Sequence, residues 1–378
     1  MSSALGALLG SREIVITCGP GGVGKTTTAA ALATSVAYDL GGDVLVLTVD
    51  PARRLAQALG LEGLGNEVTE VELVQQGDKP ARGRLFAAML DMKQSWDALV
   101  VEHAPNEQTA TSILANPLYD NITSRFIASH DYIAMERLYE LHGEGKYDLI
   151  VVDTPPSRTA LDFLDAPARM EEFFSSRLLR WIIAPYRNRL VGMASKPFSQ
   201  VADRILGTQF LADIAEFFIL FQSMYEGFVD RAGAVGRLLA DDRCAFVVVS
   251  TGEAVPAREA GFFAKELQAR GFMLGGMVVN RMMPESLTQN SVLQGARALH
   301  ESSPELSATL GIDQALMEMV TSELLRSLED FSKLALREQA ERSVLADYAD
   351  VLALPYLAEP ITDLASLLTL GRLAIGVQ

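Results

Sequence analysis

A glycine-rich segment near the start of the sequence constrains the fold of this chain more than any other feature. Residues 19–26 match the G-x-x-x-x-G-K-[ST] pattern of phosphate-binding loops. Glycines let the backbone curl until successive N–H groups point at phosphate oxygens, Lys25 adds a positive charge, and the Thr26 hydroxyl can bind Mg²⁺. A strand pattern at 13–18 precedes the loop and a helix pattern at 26–33 follows it, as the motif requires. The segment therefore predicts a nucleotide-binding site.

Apolar strand patterns alternate with helix patterns along most of the chain. Several are uninterrupted apolar runs, which indicates strands that are covered on both faces. Repeated strand–helix–strand units predict right-handed crossovers and an α/β P-loop fold, with a mainly parallel sheet of roughly seven strands flanked by helices. The predicted strands are residues 13–18, 43–49, 85–90, 148–152, 245–250, 275–279 and 350–354.

The composition limits the classes of function that this chain can have. Its 378 residues carry a formal net charge of −16, which argues against an electrostatic grip on nucleic acid. The two cysteines, Cys18 and Cys244, fall in predicted core strands and indicate packing in a reducing compartment. The sequence shows neither a signal-peptide pattern nor an apolar run of about 20 residues that could span a membrane. We therefore expect a cytoplasmic protein, which could be peripheral to a membrane.

Acidic residues follow two of the predicted strands. Asp50 follows the strand at 43–49, and Asp153 follows the strand at 148–152. An apolar strand that ends in Asp is typical of a Walker B motif, whose carboxylate lies near Mg²⁺. Because the carboxyl ends of parallel strands share one edge of a sheet, we expect both acids near the phosphate loop. Each also has a simpler interpretation, since Asp153 could cap a helix and Asp50 could form an Asp-Pro turn.

Together these motifs resemble the ArsA-type ATPases, which include arsenite-pump ATPases and ATPases that target tail-anchored membrane proteins. The resemblance rests on residues 21–27, 48–52 and 153–156, and extends to residues 278–281 and 354–355. It implies an enzyme that binds ATP and Mg²⁺, hydrolyses ATP to ADP and phosphate, and works as a dimer.

The resemblance also implies a role for individual residues. The implied nucleotide-binding residues are Gly21, Gly22, Val23, Gly24, Lys25, Thr26, Thr27, Asn280, Arg281 and Pro355. Among them, Lys25 would contact the β- and γ-phosphates and Thr26 would bind Mg²⁺ directly. Asn280 would donate or accept a hydrogen bond with adenine, and Pro355 would border the base.

The implied catalytic residues are Asp50 and Lys25. Asp50, in the first switch segment, would position the attacking water, because activation of water requires a carboxylate within hydrogen-bond reach. Asp153 would lie in the outer shell of Mg²⁺, and residues 154–158 would form the second switch segment.

One position departs from the pattern of the family. The family's loop reads Lys-Gly-Gly-x-Gly-Lys-Thr, and its first lysine reaches the partner's phosphates across a dimer; here Pro20 takes that position. Proline has neither a charge nor an N–H. An arginine of the switch segments (Arg53, Arg54 or Arg158) could substitute, the chain could pair with a lysine-bearing paralogue, or it could bind ATP and hydrolyse it slowly. We expect a homodimer or such a heterodimer, with hydrolysis retained.

The sequence lacks the clustered cysteines that an arsenite site or a zinc site would need. The pump ATPases handle arsenite with a cluster of cysteines, and eukaryotic targeting ATPases carry a Cys-x-x-Cys zinc site, whereas this chain has two widely separated cysteines. His103, His130 and His142 show no metal-ligand spacing, so each is expected at the surface or hydrogen-bonded within the fold.

A long segment after the second switch carries helix patterns but no strand pattern. We predict an α-helical insert subdomain at 161–240 and a P-loop ATPase core formed by 1–160 and 241–378. Residues 217–221 are apolar on every side of a helix, so they are either core or a binding face. In the targeting ATPases that this chain resembles, a helical subdomain at this place binds a client's transmembrane helix. Plain core packing, or docking onto a membrane protein, would produce the same pattern.

Four functions remain open on the sequence alone. The first is an ATPase that couples its nucleotide state to a hydrophobic or membrane-protein client. The second is an ATPase subunit that energises or regulates a membrane transporter. The others are a partition-type ATPase, disfavoured by the acidic charge, and an ATP-binding scaffold with little hydrolysis.

Overall fold

A computed structural model describes residues 3–49, 54–61, 63–73, 80–119, 127–154, 172, 177, 217–220 and 225–377. Within these residues, eight strands form one sheet. They are β1 (Ile14–Cys18), β2 (Asp43–Thr48), β3 (Thr69–Val71), β4 (Arg84–Met89), β5 (Leu149–Asp153), β6 (Cys244–Thr251), β7 (Leu274–Met282) and β8 (Val351–Pro355). The order across the sheet is β3-β4-β2-β5-β1-β6-β7-β8, and all pairs are parallel except β3 with β4.

The prediction of a mainly parallel α/β sheet is confirmed. All seven predicted strands are present, with ends that differ by at most three residues from the predicted ones. The eighth, β3, was not predicted from the sequence. It is three residues long and two of them, Thr69 and Glu70, are exposed, so it lacks the apolar run that marks a covered strand.

Helices cover both faces of the sheet. They are α1 (Ala4–Leu9), α2 (Lys25–Ser35), α3 (Arg54–Ala58), α4 (Met92–His103), α5 (Glu107–Leu114), α6 (Ile127–Gly143), α7 (Tyr225–Leu239), α8 (Ala254–Ala269), α9 (Asn290–Glu301), α10 (Ser303–Leu310), α11 (Gln314–Leu345) and α12 (Leu364–Ile375). A π-helical turn at Val36–Leu40 continues α2, and a 3-10 turn occupies Glu285–Thr288.

The core consists of two apolar clusters, one on each face of the sheet. In β1, Ile14 and Ile16 belong to the cluster that contains side chains of α4 to α8, whereas Val15 belongs to the cluster that contains side chains of α1, α2, α3 and α12. Successive side chains of a strand point to opposite faces. Because helices cover both faces, every residue of β1, β5 and β6 is buried, which explains their uninterrupted apolar sequences.

The contact between α2 and α12 is unusually close. A Cβ atom at Gly371 would collide with the carbonyl oxygen of Ala31, so only glycine permits this approach. Next to it, the guanidinium of Arg372 donates two hydrogen bonds, of 2.8 and 2.9 Å, to the carboxylate of Asp39. These contacts hold α2, which begins in the phosphate loop, against α12, which lies more than three hundred residues later in the sequence.

Most of the predicted helical insert at 161–240 lies outside the described residues, so the domain boundaries stay a prediction. Of the apolar run at 217–221, residues 217–220 are described and helical, and Phe217 and Phe218 are buried in the core cluster on the α4–α8 face. No helix in the described part of the chain has both the length and the apolar character needed to cross a membrane.

Candidate nucleotide-binding site

The glycine-rich loop connects β1 to α2 in the middle of the sheet. Three of its glycines have a positive φ, and two of these also lie against neighbouring strands. Gly19 has a φ of 137°, and a Cβ atom there would overlap the carbonyl oxygen of Val249 on β6. Gly24 has a φ of 95°, and its Cβ atom would overlap the side-chain amide of Asn280 on β7. The loop therefore lies directly against two neighbouring strands, which fixes its curvature.

Lys25 is the first residue of α2 and is buried within the loop. Its ammonium Nζ donates hydrogen bonds to the carbonyl oxygens of Gly19 (3.1 Å) and Pro20 (2.9 Å), and only 5% of the residue is exposed. The loop thus closes around a positive charge. The amino-terminal end of an eleven-residue helix, with its partial positive charge, lies at the same place. This combination favours an anion.

The carboxylate predicted for the outer shell of Mg²⁺ is at the same edge of the sheet. Asp153 ends β5, which lies between β1 and β2, and the residue is fully buried. Its Oδ2 accepts a hydrogen bond of 2.9 Å from the hydroxyl of Thr48 on β2. The hydroxyl of Thr154, one residue later, donates to the carbonyl oxygen of Thr17 at 2.8 Å. Three adjacent strands therefore hold Asp153 and Thr154 in place, at the start of the predicted second switch segment.

Asp50, predicted to position the attacking water, lies outside the described residues, as do Arg53 and Arg158 of the predicted switch segments. The residue before it, Val49, is described: its backbone N–H donates to the carbonyl oxygen of Asp153 at 3.1 Å. Val49, the residue before the predicted first switch segment, therefore lies beside the end of β5.

A cavity of about 380 Å³ opens over the loop. Its lining residues come from the loop and α2, from α3, from the end of β5, from β7 and from the segment before α12: Gly22, Gly24, Lys25, Thr26, Thr27, Ala30, Leu55, Gln57, Ala58, Thr154, Arg281, Ile361 and Thr362. Its size is within the range of small-molecule sites. Of the other predicted loop residues, Gly21 is exposed and Val23 is buried, and neither lines the cavity.

The predicted residues at the end of β7 contact the loop itself. The buried side chain of Asn280 donates to the carbonyl oxygen of Val23 at 3.0 Å, and its Oδ1 accepts from the backbone N–H of Arg281 at 2.9 Å. Arg281 has a φ of 58°, the only positive φ among the described non-glycine residues, and it lines the cavity. Asn280 therefore connects β7 to the phosphate loop and holds Arg281 in a left-handed conformation at the rim.

Pro355, predicted to border the base, is the exposed last residue of β8. It lines a second cavity, of about 190 Å³, together with Met282, Met283 and residues of α11. In the described part of the chain, Pro355 is thus not brought to the cavity over the loop.

Both cysteines behave as core residues. Burial raises the pKa of the Cys18 thiol to about 12, which outweighs the opposing effect of the nearby Lys25 charge, and burial likewise raises the pKa of Cys244 to about 12. Within the residues that the structure covers, no three His, Cys, Asp or Glu side chains come together as a metal site. His142 is hydrogen-bonded to Glu13 at 2.7 Å, at the opposite edge of the sheet.

Several cavity residues were not predicted from the sequence. Thr48, which binds Asp153 beside the cavity without lining it, was also missed, although a threonine at the end of an apolar strand is a polar interruption that could have identified it. Leu55 and Gln57 of α3, and Ile361 and Thr362 before α12, carry no such signal. These residues line the cavity only because the complete fold brings α3 and the segment before α12 next to the loop.

Comparison with known proteins supports the interpretation of this site. Residues 12–305 match the family model of the anion-transporting ATPases, known as ArsA ATPases. An uncharacterized protein of Streptomyces coelicolor is 30% identical over 76% of this chain, and the match covers 66% of that protein. A putative arsenical pump-driving ATPase of Halobacterium salinarum is 29% identical over 41% of this chain and 24% of its own length.

A third relative, ATPase ASNA1 homolog 1 of Paramecium tetraurelia, is 29% identical over 41% of this chain and 43% of its own length. This chain therefore spans less than two thirds of each of these three relatives. The family model, in contrast, matches well over half of this chain, from before β1 into α10. The chain belongs to the ArsA-type, anion-transporting ATPase family.

Proposed function

We propose that this chain binds ATP with Mg²⁺, hydrolyses ATP, and uses its nucleotide state as a switch. The observation that carries the proposal is the arrangement at the carboxyl edge of the sheet. There a glycine loop, the buried ammonium of Lys25 and the buried carboxylate of Asp153 occupy the ends of adjacent strands. Loop amides and an ammonium favour phosphate, and a carboxylate beside them favours a divalent cation.

The donor set fits a triphosphate with its metal. Backbone N–H groups of residues 21–27 and the end of α2 supply donors to phosphate oxygens, and Lys25 supplies a charge. The hydroxyl of Thr26 and the carboxylate of Asp153 are hard oxygen ligands of the type that Mg²⁺ prefers, the first directly and the second through water. Bound Mg²⁺ would neutralise charge on the phosphates. Thr48 holds the Asp153 carboxylate in place through its hydrogen bond of 2.9 Å.

Hydrolysis requires a group that orients the attacking water. We assign this role to Asp50, which follows β2 and would accept a hydrogen bond from the water through its carboxylate. The γ-phosphate would hold the segments after Val49 and Thr154, and its loss on hydrolysis would release them. Both segments begin at hydrogen-bonded positions on the sheet, so the sheet supplies a rigid frame on which they move.

The missing signature lysine is compatible with this activity. Pro20 is buried, so its position contributes no side chain to a neighbouring molecule. Arg281, in contrast, lines the cavity from the chain's own β7 and gives the site a second cation beside Lys25. A guanidinium binds phosphate oxygens well. We infer that Arg281 provides part of the charge that the family obtains across its dimer.

The nucleotide state would be coupled to a partner. We propose a homodimer, or a heterodimer with a lysine-bearing paralogue, whose helical insert at 161–240 engages a hydrophobic or membrane-protein client. The apolar sequence pattern of the insert supports this proposal. A second candidate, an ATPase subunit that drives a membrane transporter, is favoured by the relative named as an arsenical pump-driving ATPase.

Calorimetry and phosphate release test the enzymatic proposal. Wild-type protein is expected to release heat with Mg-ATP and to produce phosphate. Lys25→Ala should weaken binding by about tenfold or more, because it removes the buried charge. Asp50→Asn should bind ATP but lose about a hundredfold or more in turnover. Lys265→Ala, at an exposed lysine of α8, is the matched control and should change neither.

Two results would refute the enzymatic proposal: no heat with Mg-ATP, or equal turnover in the wild type and Asp50→Asn. For the client, we expect hydrophobic peptides to co-purify with the wild type and to be lost in a folded Phe221→Asp variant. Phe217→Asp should instead destabilise the fold, because Phe217 is 2% exposed within the core. Retention of peptide by Phe221→Asp would count against a binding role of this segment.

A further inference from the structure

The end of β7 contains a β-bulge that holds an arginine in an unusual conformation. Val279 pairs with Ala353 of β8 and Met282 pairs with Pro355, so β7 has two residues between these pairs where β8 has one. Arg281, inside the bulge, has a φ of 58°, a conformation that glycine usually supplies in bulges. A strained residue of this kind persists only where its surroundings hold it, and such residues cluster at functional sites.

The bulge brings two consecutive side chains to the nucleotide site. In a regular strand, the side chains of Asn280 and Arg281 would point to opposite faces of the sheet. Here the side chain of Asn280 contacts the phosphate loop at Val23, and Arg281 nevertheless lines the cavity over the same loop. Bulges are frequent next to active sites because they redirect a side chain in this way.

Glu338 of α11 holds the chain just after the bulge. Its carboxylate accepts a hydrogen bond of 2.7 Å from the backbone N–H of Met283, and only 6% of the residue is exposed. Burial raises the pKa of this carboxyl, although the N–H of Met283 opposes the rise, so the position is costly for a charged group. The N–H of Arg281 is held in turn by Oδ1 of Asn280. Side-chain acceptors therefore fix the bulge at both ends.

A glycine at the end of β6 makes room for Glu338. A Cβ atom at Gly252, the residue after β6, would lie 2.7 Å from both Cβ and Cγ of Glu338 and 3.0 Å from Sδ of Met282. The two carbons belong to the base of the Glu338 side chain, which cannot move without moving α11. Glycine at this position therefore lets α11 approach the ends of β6 and β7 closely enough for the bond to Met283.

We propose that Glu338 is a positioning residue of the nucleotide site, which holds the bulge so that the guanidinium of Arg281 faces the phosphates of the bound nucleotide. Glu338 does not line the cavity itself, so it acts through Arg281. It also lies beyond residues 12–305, which match the family model, so its role is argued from its contacts alone. This inference rests on the proposed nucleotide-binding function and adds a part of α11 to it.

Calorimetry with Mg-ATP on a double-mutant cycle tests the proposal. Arg281→Gly removes the guanidinium and relieves the strain, so the affinity should fall about tenfold or more while the denaturant midpoint of unfolding does not fall. Glu338→Leu should weaken binding about threefold to tenfold in the wild-type background, because part of the contribution of Arg281 is lost. In the Arg281→Gly background it should have little further effect, whereas a merely structural role would lower the affinity equally in both backgrounds.

Further variants separate the bond from general effects of substitution. Glu338→Gln keeps the length of the side chain and an acceptor oxygen, so it should retain the wild-type affinity. Gly252→Ala displaces Glu338 from the side of the sheet and should weaken binding as Glu338→Leu does, again only where Arg281 is present. Glu323→Leu makes the same substitution at an exposed position of α11 and is the matched control, which should leave the affinity unchanged.

Amide hydrogen exchange measures the bond without nucleotide. The N–H of Met283 should exchange faster in Glu338→Leu than in the wild type. Unchanged exchange at Met283, wild-type affinity in a folded Glu338→Leu variant, or equal weakening in both backgrounds would overturn the proposal. Wild-type affinity in Arg281→Gly would also overturn it and would leave the proposed ATPase function standing. Absence of heat with Mg-ATP in the wild type, in contrast, would refute the proposed function and this inference together.

Discussion

Replacing Asn280 with alanine tests how the phosphate loop is held. The side chain is 6% exposed and makes two hydrogen bonds, to the carbonyl oxygen of Val23 in the loop and to the backbone N–H of Arg281. Resemblance to the family implies that Asn280 contacts adenine, whereas these bonds make it a support for the loop. The two roles give different results for ligands that lack a base.

The structure sets the size of the effect. Each hydrogen bond contributes about 1 kcal/mol net, and a buried polar group that loses its partner costs about 1–3 kcal/mol. Asn280→Ala removes one partner from the buried carbonyl group of Val23 and one from the partly buried N–H of Arg281, so we expect the free energy of unfolding to fall by about 2–4 kcal/mol. If half of this loss reaches the loop, affinity for phosphate groups falls about tenfold, because 1.4 kcal/mol corresponds to a factor of ten.

Denaturant unfolding measures the stability change, and calorimetry with Mg-ATP and with magnesium pyrophosphate measures the binding change. A supporting role weakens both ligands by a similar factor. Asn66→Ala is the matched control, because Asn66 makes partly buried hydrogen bonds to Asp91 and Ser95, beyond the end of β4, and does not line the cavity over the loop. That variant should lose stability without losing affinity. Unchanged pyrophosphate affinity in a folded Asn280→Ala variant would refute the reasoning and favour a contact with adenine.

Three further predictions concern the loop, the α2–α12 contact and the thiols. Gly24→Ala places an alanine at a positive φ, and its Cβ clashes with the side-chain amide of Asn280 on β7. We expect the free energy of unfolding to fall by about 1–3 kcal/mol and calorimetry to show weaker binding of Mg-ATP. Arg372→Ala breaks a two-bond ion pair and should cost about 1–3 kcal/mol in thermal unfolding, with unchanged Mg-ATP affinity. Because burial raises the pKa of both Cys18 and Cys244 to about 12, neither should react with a thiol reagent at about pH 8 until the protein unfolds. The same raised pKa values mean that the free energy of unfolding falls as the pH rises from about 9 towards about 12.

The first two of these predictions have a control within the chain. Gly145 also has a positive φ, of 62°, but a Cβ there meets open space, so Gly145→Ala should cost less and leave ATP binding intact. Arg297 pairs with Glu329 at a more exposed position, and Arg297→Ala should cost less than about 1 kcal/mol. Rapid labelling of both thiols in the native protein would contradict the assignment of Cys18 and Cys244 to the core.

The sheet could be predicted because its signal is local. A strand covered on both faces must be apolar throughout, and β1, β5 and β6 carry that signal in their own residues. The three-residue edge strand β3 carries no such signal, because Glu70 and its neighbour face solvent. Its pairing with β4 depends on contacts between separate segments, which a short stretch of sequence does not reveal.

The residues of the candidate site also fall into two groups, those with a local sequence signal and those without one. Lys25 and Asp153 could be identified because loop chemistry and strand ends leave a pattern in the sequence. The contact between Asn280 and Val23 could not, because it joins residues 257 positions apart in the chain. Ile361 and Thr362 reach the cavity only because α12 returns to pack on α2. Spatial neighbours of this kind follow from the complete fold.

The close fit between α2 and α12 has a consequence for the order of synthesis. At about 5–20 residues per second, α12 leaves the ribosome roughly 20–70 s after α2. Until then, the alanine-rich side of α2 that contacts Gly371 is not packed against α12. The phosphate loop, which leads into α2, lacks the support of that contact. We therefore expect the loop to bind a nucleotide only late in synthesis, after translation has passed Ile375 and α12 has packed on α2.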